Sequence, residues 1–348
     1  MATSKQHHRR GMTLVELLVV IAIIGLLSVA VLPNLANSSG SRKVRETARS
    51  VSSFLAGVQA QAIGSRSGAG VWIDLLQNPI VDDTGVAHTV ALDLTMSQVP
   101  TPYSGESTLS AVEIFPVNPP YASTASLSFV PDPTSFFPPA TDNLFIRFGT
   151  SETLFLLEQA TGGGWMVALD AARNQQPTNT AWPVTTSQPV SYEVILPPTK
   201  NPIRSLTVEA EMAIDLTWTF LGMDDGSWPP CDPTAAVGAG GILVGKPVQL
   251  LYNTTGKPIN VSSNGTPGVT ILEPFYLLVT SIEAIQKGTA FTTSRSYWIA
   301  VDASGGIPRV AEVQPITLLN PSRVLPTNRA ELEFTQQFIR DASLQTGG

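Results

Sequence analysis

Few side chains in this 348-residue chain could do chemistry, and their types limit what that chemistry is. Histidine occurs only at His7, His8 and His88, and the single cysteine is Cys231. One cysteine forms no intrachain disulfide, and one histidine beside it in the body of the chain does not make up a zinc ligand set. A Cys–His nucleophilic pair would need His88 and Cys231, far apart in sequence, to meet by chance. The chain contains no G-x-S-x-G elbow, no Walker A loop and no complete G-x-G-x-x-G, and Gly238, Gly240 and Gly241 read as a turn. Acidic pairs at Asp82–Asp83 and Asp224–Asp225 offer the oxygen ligands calcium takes, but neither has EF-hand spacing. Each therefore reads as a solvated turn. No catalytic residue is expected and no cofactor, with calcium the one candidate ion.

The carboxylate that needs an explanation is Glu16. It sits in the run from Met12 to Leu32, 21 residues that are otherwise apolar or small apart from Thr13 and Ser28. As a helix rising ~1.5 Å per residue, that run spans ~31 Å, the thickness of a bilayer's hydrocarbon core. A carboxylate in hydrocarbon costs ~3 kcal/mol on insertion scales, so an acid there is functional by default and calls for a partner. The plainer alternative has Glu16 near the helix end, reaching toward the interface. Lys5, Arg9 and Arg10 precede the run and favour a cytoplasmic N-terminus, whereas Arg42, Lys43, Arg45 and Arg49 follow it and weaken that vote. A secretory signal peptide cut after Ser28-Val29-Ala30 fits less well, because the apolar run is long and carries an acid.

The stretch "RRG" followed by "MTLVELLVVIAIIGLLSVAVLPNL" resembles the class III leader and N-terminal helix of type IV pilins and type II secretion pseudopilins. The shared pattern is a short basic leader ending in Gly11, an apolar Met12, then Thr13, then Glu16 as the fifth residue of the mature chain. This resemblance implies that a prepilin peptidase cuts between Gly11 and Met12 on the cytoplasmic side and methylates the new amino group of Met12. It also implies a filament of staggered parallel helices, in which Glu16 of one subunit meets the Met12 amine of the next. Two buried charges then become a pair, and the acid sets register in assembly. Pro33 stands where many family members have a proline; lacking an N–H and clashing with the carbonyl four residues back, it is expected to bend or break the helix. Gly25 lowers helix stability by ~1 kcal/mol relative to Ala.

The elements beyond this run follow from pattern. Val44, Ala48, Val51, Leu55, Val58 and Ala62 recur at steps of four and three, one stripe of an amphipathic helix that packs on a sheet and ends near "GSRSGAG". The register from that helix into "GVWIDL" resembles the H-type minor pseudopilins (the GspH/FimT family). Next come strand candidates such as "HTVALDL", "NLFIRFG", "TLFLLEQ", "GWMVALD", "VSYEVIL", "SLTVEAEMAIDLTWTF", "KPVQLLYN", "FYLLVTSIEAI" and "SYWIAVD". Residues 97–143, rich in Pro and Ser, read as a long loop or loosely structured insertion. A second β subdomain is expected from about residue 190. "NRAELEFTQQFIRDASL" reads as a C-terminal helix with Asn328 as N-cap and Glu331 three residues on.

Charge narrows the partners. Up to residue 66 there are eight basic residues against Glu16 and Glu46, so the rest of the chain holds 20 − 8 = 12 basic and 27 − 2 = 25 acidic residues. An acidic body repels phosphate backbones, and no nucleic-acid partner is expected. The expected class is α+β: a long N-terminal, partly transmembrane helix packed on a large antiparallel β-rich head. The expected segments are a leader (1–11), a transmembrane helix (12–32), an amphipathic stem (33–66) and a periplasmic head (67–348). The resemblance implies a structural, non-enzymatic subunit of the bacterial inner membrane, single-pass and assembled into a periplasmic filament. Its implied partners are a prepilin peptidase, other pseudopilins or pilins, and an inner-membrane secretion platform. Two rival readings are a minor pilin for adhesion, motility or DNA uptake, and a membrane-tethered enzyme or binding domain. The second rival would use a cleft lined by carboxylates and by Trp165, Trp182, Trp218 or Trp228, residues whose simpler role is core packing.

Overall fold

A helix, α1 (Leu14–Gly64), opens the fold of this computed structural model. The structure describes residues 14–107, 109–116, 124–130, 144–149, 155–160, 163–168, 188–219, 248–263, 274–292 and 295–345, with backbone alone at 27–39, 260–263 and 343–345. Chain contacts divide it into two units, Met1–Lys43 and Val44–Gly348. In the first, α1 passes through position 33 as continuous helix, and in the second it continues to Gly64.

Within the second unit the stripe read from the sequence is the buried one: Val44, Ala48, Val51, Leu55, Val58 and Ala62 are all buried. Past α1 the chain forms β1 (Ala69–Leu75), β2 (Ile80–Val81), β3 (Ala87–His88) and β4 (Val90–Gln98). There follow β5 (Ala111–Pro116), β6 (Thr124–Val130), β7 (Leu144–Phe148), β8 (Phe155–Gln159), β9 (Trp165–Ala168) and β10 (Tyr192–Ile195). Then come β11 (Thr199–Thr207), β12 (Met212–Asp215), β13 (Val248–Tyr252), β14 (Pro258–Ser263) and β15 (Phe275–Ser281). The chain closes with α2 (Ile282–Gln286), β16 (Tyr297–Val301), β17 (Arg309–Glu312), α3 (Arg329–Thr335) and α4 (Gln337–Gln345).

A nine-stranded antiparallel sheet runs β14-β13-β1-β4-β12-β15-β16-β17, with β11 also paired to β4. Strand alternation gives this sheet two apolar faces. Val71, Ile73, Leu94, Ile214, Leu277 and Ile299 share one core with the α1 stripe. Leu278 and Trp298 join Trp218, Phe291, Leu332 and Ile339 in a second core that includes α3 and α4. The mixed α+β class, with a helix followed by a large antiparallel region, is therefore as the sequence pattern indicates.

A six-stranded sheet, β10-β7-β8-β9-β6-β5, is inserted between β4 and β11. Its edges meet: Val112 and Val190 exchange backbone hydrogen bonds at 2.9 Å, and Tyr103 and Val194 do so at 2.9 and 2.8 Å. The sheet thus closes into a small barrel, filled by Ile114, Leu127, Ile146, Phe148, Leu157, Val167 and their neighbours. This corrects two expectations. Residues 97–143 carry β5 and β6, whose alternating apolar positions line the barrel, so the stretch is not simply a loop. The second β unit likewise does not start near residue 190 but ends there, with β10 as its last strand.

Smaller corrections have local causes. "SLTVEAEMAIDLTWTF" splits into β11 and β12 at a turn where Glu211 takes a positive φ of 74°. "SIEAI" is helical, because the Ser281 side chain accepts the Ala284 N–H and caps α2. The C-terminal segment forms two helices, and Asn328 caps the first by accepting the Glu331 N–H.

Candidate functional site

The described part of the apolar run, residues 14–26, is helical, and apolar side chains cover its whole circumference. Every large apolar side chain from Leu14 to Leu26 is at least 39% exposed, and Leu14 is 80% exposed. A helix that is apolar all round and uncovered belongs in lipid or in a bundle of like helices. Glu16 lies in its first turn, where the positive end of the helix dipole favours a carboxylate. Among the described residues no helix is long and apolar enough to cross a membrane. The expected cleavage and methylation sites, Gly11 and Met12, lie outside the described residues, as does the side chain of Pro33. A Cβ at Gly25 would meet nothing within 4 Å, so that glycine is not required by packing inside the subunit.

A second constellation lies in the head, and it changes the reading of the acidic pair at 82–83. Asp83 is exposed as expected of a solvated turn, whereas Asp82 is buried. The β2–β3 hairpin turns Asp82 inward, and His88 follows on its second strand. His88 Nδ1 lies 2.8 Å from Asp215 Oδ2, and His88 Nε2 lies 3.3 Å from Asp82 Oδ2. All three side chains are fully buried.

The remaining oxygens are also engaged. Asp82 Oδ1 accepts from the Thr84 and Val86 N–H groups and from the Thr84 hydroxyl, at 2.9, 2.8 and 2.7 Å. Asp215 Oδ1 accepts from the Thr217 N–H at 3.0 Å, and the Trp218 ring stands edge-on to His88 at 6.0 Å. Burial works against charge on His88, but the Asp215 and Asp82 carboxylates outweigh it and hold the imidazole above its ordinary range. Burial likewise opposes ionisation of Asp82, yet the donors from Thr84, Val86 and His88 hold it below the ordinary carboxylate range.

This cluster has no nucleophile poised on the imidazole, since both ring nitrogens are taken by carboxylates. Among the described residues no group of three or more His, Cys, Asp or Glu side chains is arranged to hold a metal ion. Asp224, Asp225, Cys231, Trp182 and Trp228 lie outside the described residues. Trp165 is buried in the barrel core and Trp218 in the core beneath α3 and α4, the packing role that the sequence favours. Sequence reasoning left His88 on its own because its partner Asp215 comes from a distant strand; the one local signal was Asp82, six residues before His88 at the far end of the same hairpin.

Comparison with known families matches the prokaryotic N-terminal methylation motif to residues 6–32. That span includes Gly11, Met12 and Glu16, and it supports a type IV pilin-like protein that is processed by a prepilin peptidase and assembles with other pilins. No curated protein and no solved structure matches the chain.

Proposed function

We propose that this chain is a minor pseudopilin: a structural subunit that enters a type II secretion pseudopilus through its N-terminal helix and acts in protein export by assembly. The observation that carries this reading is the methylation motif over residues 6–32, continued by a helix with apolar side chains exposed on every side and Glu16 as its one charged residue up to Leu26. In this reading the prepilin peptidase frees the Met12 amine and methylates it. Glu16 of one subunit then pairs with that amine on its neighbour, so that the paired charges offset each other's cost in the apolar bundle. The head sits in the periplasm, the helix is a single-pass anchor in the inner membrane, and the secretion platform there is the assembly partner.

No turnover and no cofactor enters this mechanism. Trp165 lies in the barrel core, and Trp218 and Trp298 lie in the core that includes α3 and α4. Deleting the gene and comparing secreted proteins with surface pili and DNA uptake tests the reading. Loss of secretion with normal piliation is the expected result. Normal secretion with lost pili or DNA uptake would assign the chain to a type IV pilus instead.

A further inference from the structure

The Asp82–His88–Asp215 cluster is more than a satisfied core histidine. A neutral imidazole carries one N–H and one lone pair. Here both ring nitrogens face oxygens of carboxylates, at 2.8 and 3.3 Å, and the other oxygen of each carboxylate already accepts hydrogen bonds from its own loop. Between two carboxylates, a lone pair on either nitrogen would point at a buried anion, a clash that the doubly protonated ring avoids.

The three residues also join separate pieces of chain. Asp82 and His88 belong to the β2–β3 hairpin, and Asp215 ends β12 in the large sheet. The hairpin's other backbone ties outside itself are few: Asp83 donates its N–H to the Gln286 carbonyl at 2.8 Å, and Leu76, just before it, donates to the Val90 carbonyl at 2.8 Å. Beneath it, Ile80 and Leu76 pack on Val90, Ala213 and Ile285. We propose that the cluster is a protonation-dependent lock, in which the His88 imidazolium holds the β2–β3 hairpin on the sheet and loss of its proton frees the hairpin and uncovers that small apolar patch.

The surrounding charges leave His88 as the controlling group. From its own hairpin, Asp82 and Asp83 are near; from β12 there is Asp215. From α2, exposed Glu283 and Lys287 pair with each other, and Gly288 leaves room for the Asp82 carboxylate, a Cβ there coming within 3.3 Å of Asp82 Oδ2. Val90 of β4 and Thr89 just before it bring no charge, and from the loop after β12 come Thr217 and Trp218. The sign of the pH dependence follows. His88 is held above the ordinary histidine value of 6.5, so its contribution is whole below that pH and is lost as pH rises through the raised value. Asp82 is held below 3.8, so its contribution is present above that pH and fails only as pH falls through the lowered value. The lock is closed below the ordinary histidine value and opens as pH rises through the raised one.

The test uses the full chain in detergent with His7→Gln and His8→Gln, so that His88 is the one imidazole. Nitrogen-15 shifts of its ring at pH 6.5 should report mainly two protonated nitrogens, where an unperturbed histidine is about half neutral. A single-proton tautomer at that pH would overturn the proposal. Amide exchange, corrected for its intrinsic pH dependence, is then followed across Ile80–His88. Protection should fall at least tenfold over the pH range in which the ring loses its second proton, while β15 and β16 stay protected. Hairpin protection that is unchanged when the ring deprotonates overturns the lock. His88→Gln, where it folds, should show the unprotected hairpin at every pH; if it does not fold, the two measurements on the histidine-bearing chain decide alone.

Discussion

Gln59 on α1 donates its side-chain amide to the carbonyl oxygen of Gly256, at 2.9 Å, in the turn between β13 and β14. The same nitrogen reaches the Gly305 carbonyl at 2.6 Å, in the turn between β16 and β17. Those turns lie at opposite ends of the nine-stranded order, yet a Cβ on Gly305 would come within 3.1 Å of the Gly256 carbonyl. The sheet therefore curls around the α1 stem until its two end hairpins touch, and one buried glutamine fastens both. Positive φ at both glycines, 78° and 92°, lets the carbonyls turn toward it.

Gln59→Ala should accordingly destabilise the head by about 1–3 kcal/mol, the cost of leaving buried carbonyls without a donor. Urea unfolding of the head checks this. Gln59→Leu, which keeps bulk without the donor, should lose as much, whereas a surface change such as Ala60→Ser should stay within about 0.5 kcal/mol.

The barrel should be separable from the sheet. Gln98 and Thr199, where the chain leaves and re-enters, are direct cross-strand partners of β4 and β11. The barrel has its own core, so joining the two residues through an Asn-Gly turn should leave α1 and the nine-stranded sheet folded. A single cooperative melt in the shortened chain is the expected outcome; loss of the melt would mean that the barrel is needed to form the sheet.

Strongly alkaline pH should loosen the barrel. Burial, with Tyr103 and Glu106 nearby, pushes the Tyr192 hydroxyl up to about 12. The unfolded chain ionises its tyrosine near the ordinary 10.0. Stability is thus whole below that value and falls as pH climbs toward about 12, because the unfolded state gives up its proton first. Tyr192→Phe should flatten this part of the curve in denaturant titrations taken at pH 9 and pH 11.

Much of this arrangement could be read from the sequence where a period was clear. The stripe from Val44 to Ala62 predicted the buried face of the stem because one helix presents one face to one sheet. Strands such as "NLFIRFG" and "SYWIAVD" were legible from β-branched and aromatic content. What the sequence could not convey was pairing. Barrel closure depends on Val112 finding Val190, and the buried histidine cluster on His88 finding Asp215, contacts that no local pattern encodes. Proline pairs at 119–120 and 138–139 also masked β5 and β6, because turn signals between short strands resemble those of a long loop.

The proposed function requires that the chain is a prepilin, cut after Gly11 and built into a filament through the helix that carries Glu16. Its most direct test is the intact mass of the protein extracted from membranes. A chain that lacks residues 1–11 and carries one methyl group on Met12 is the expected result. A mass that retains the leader, or one that begins after Ala30, would contradict it.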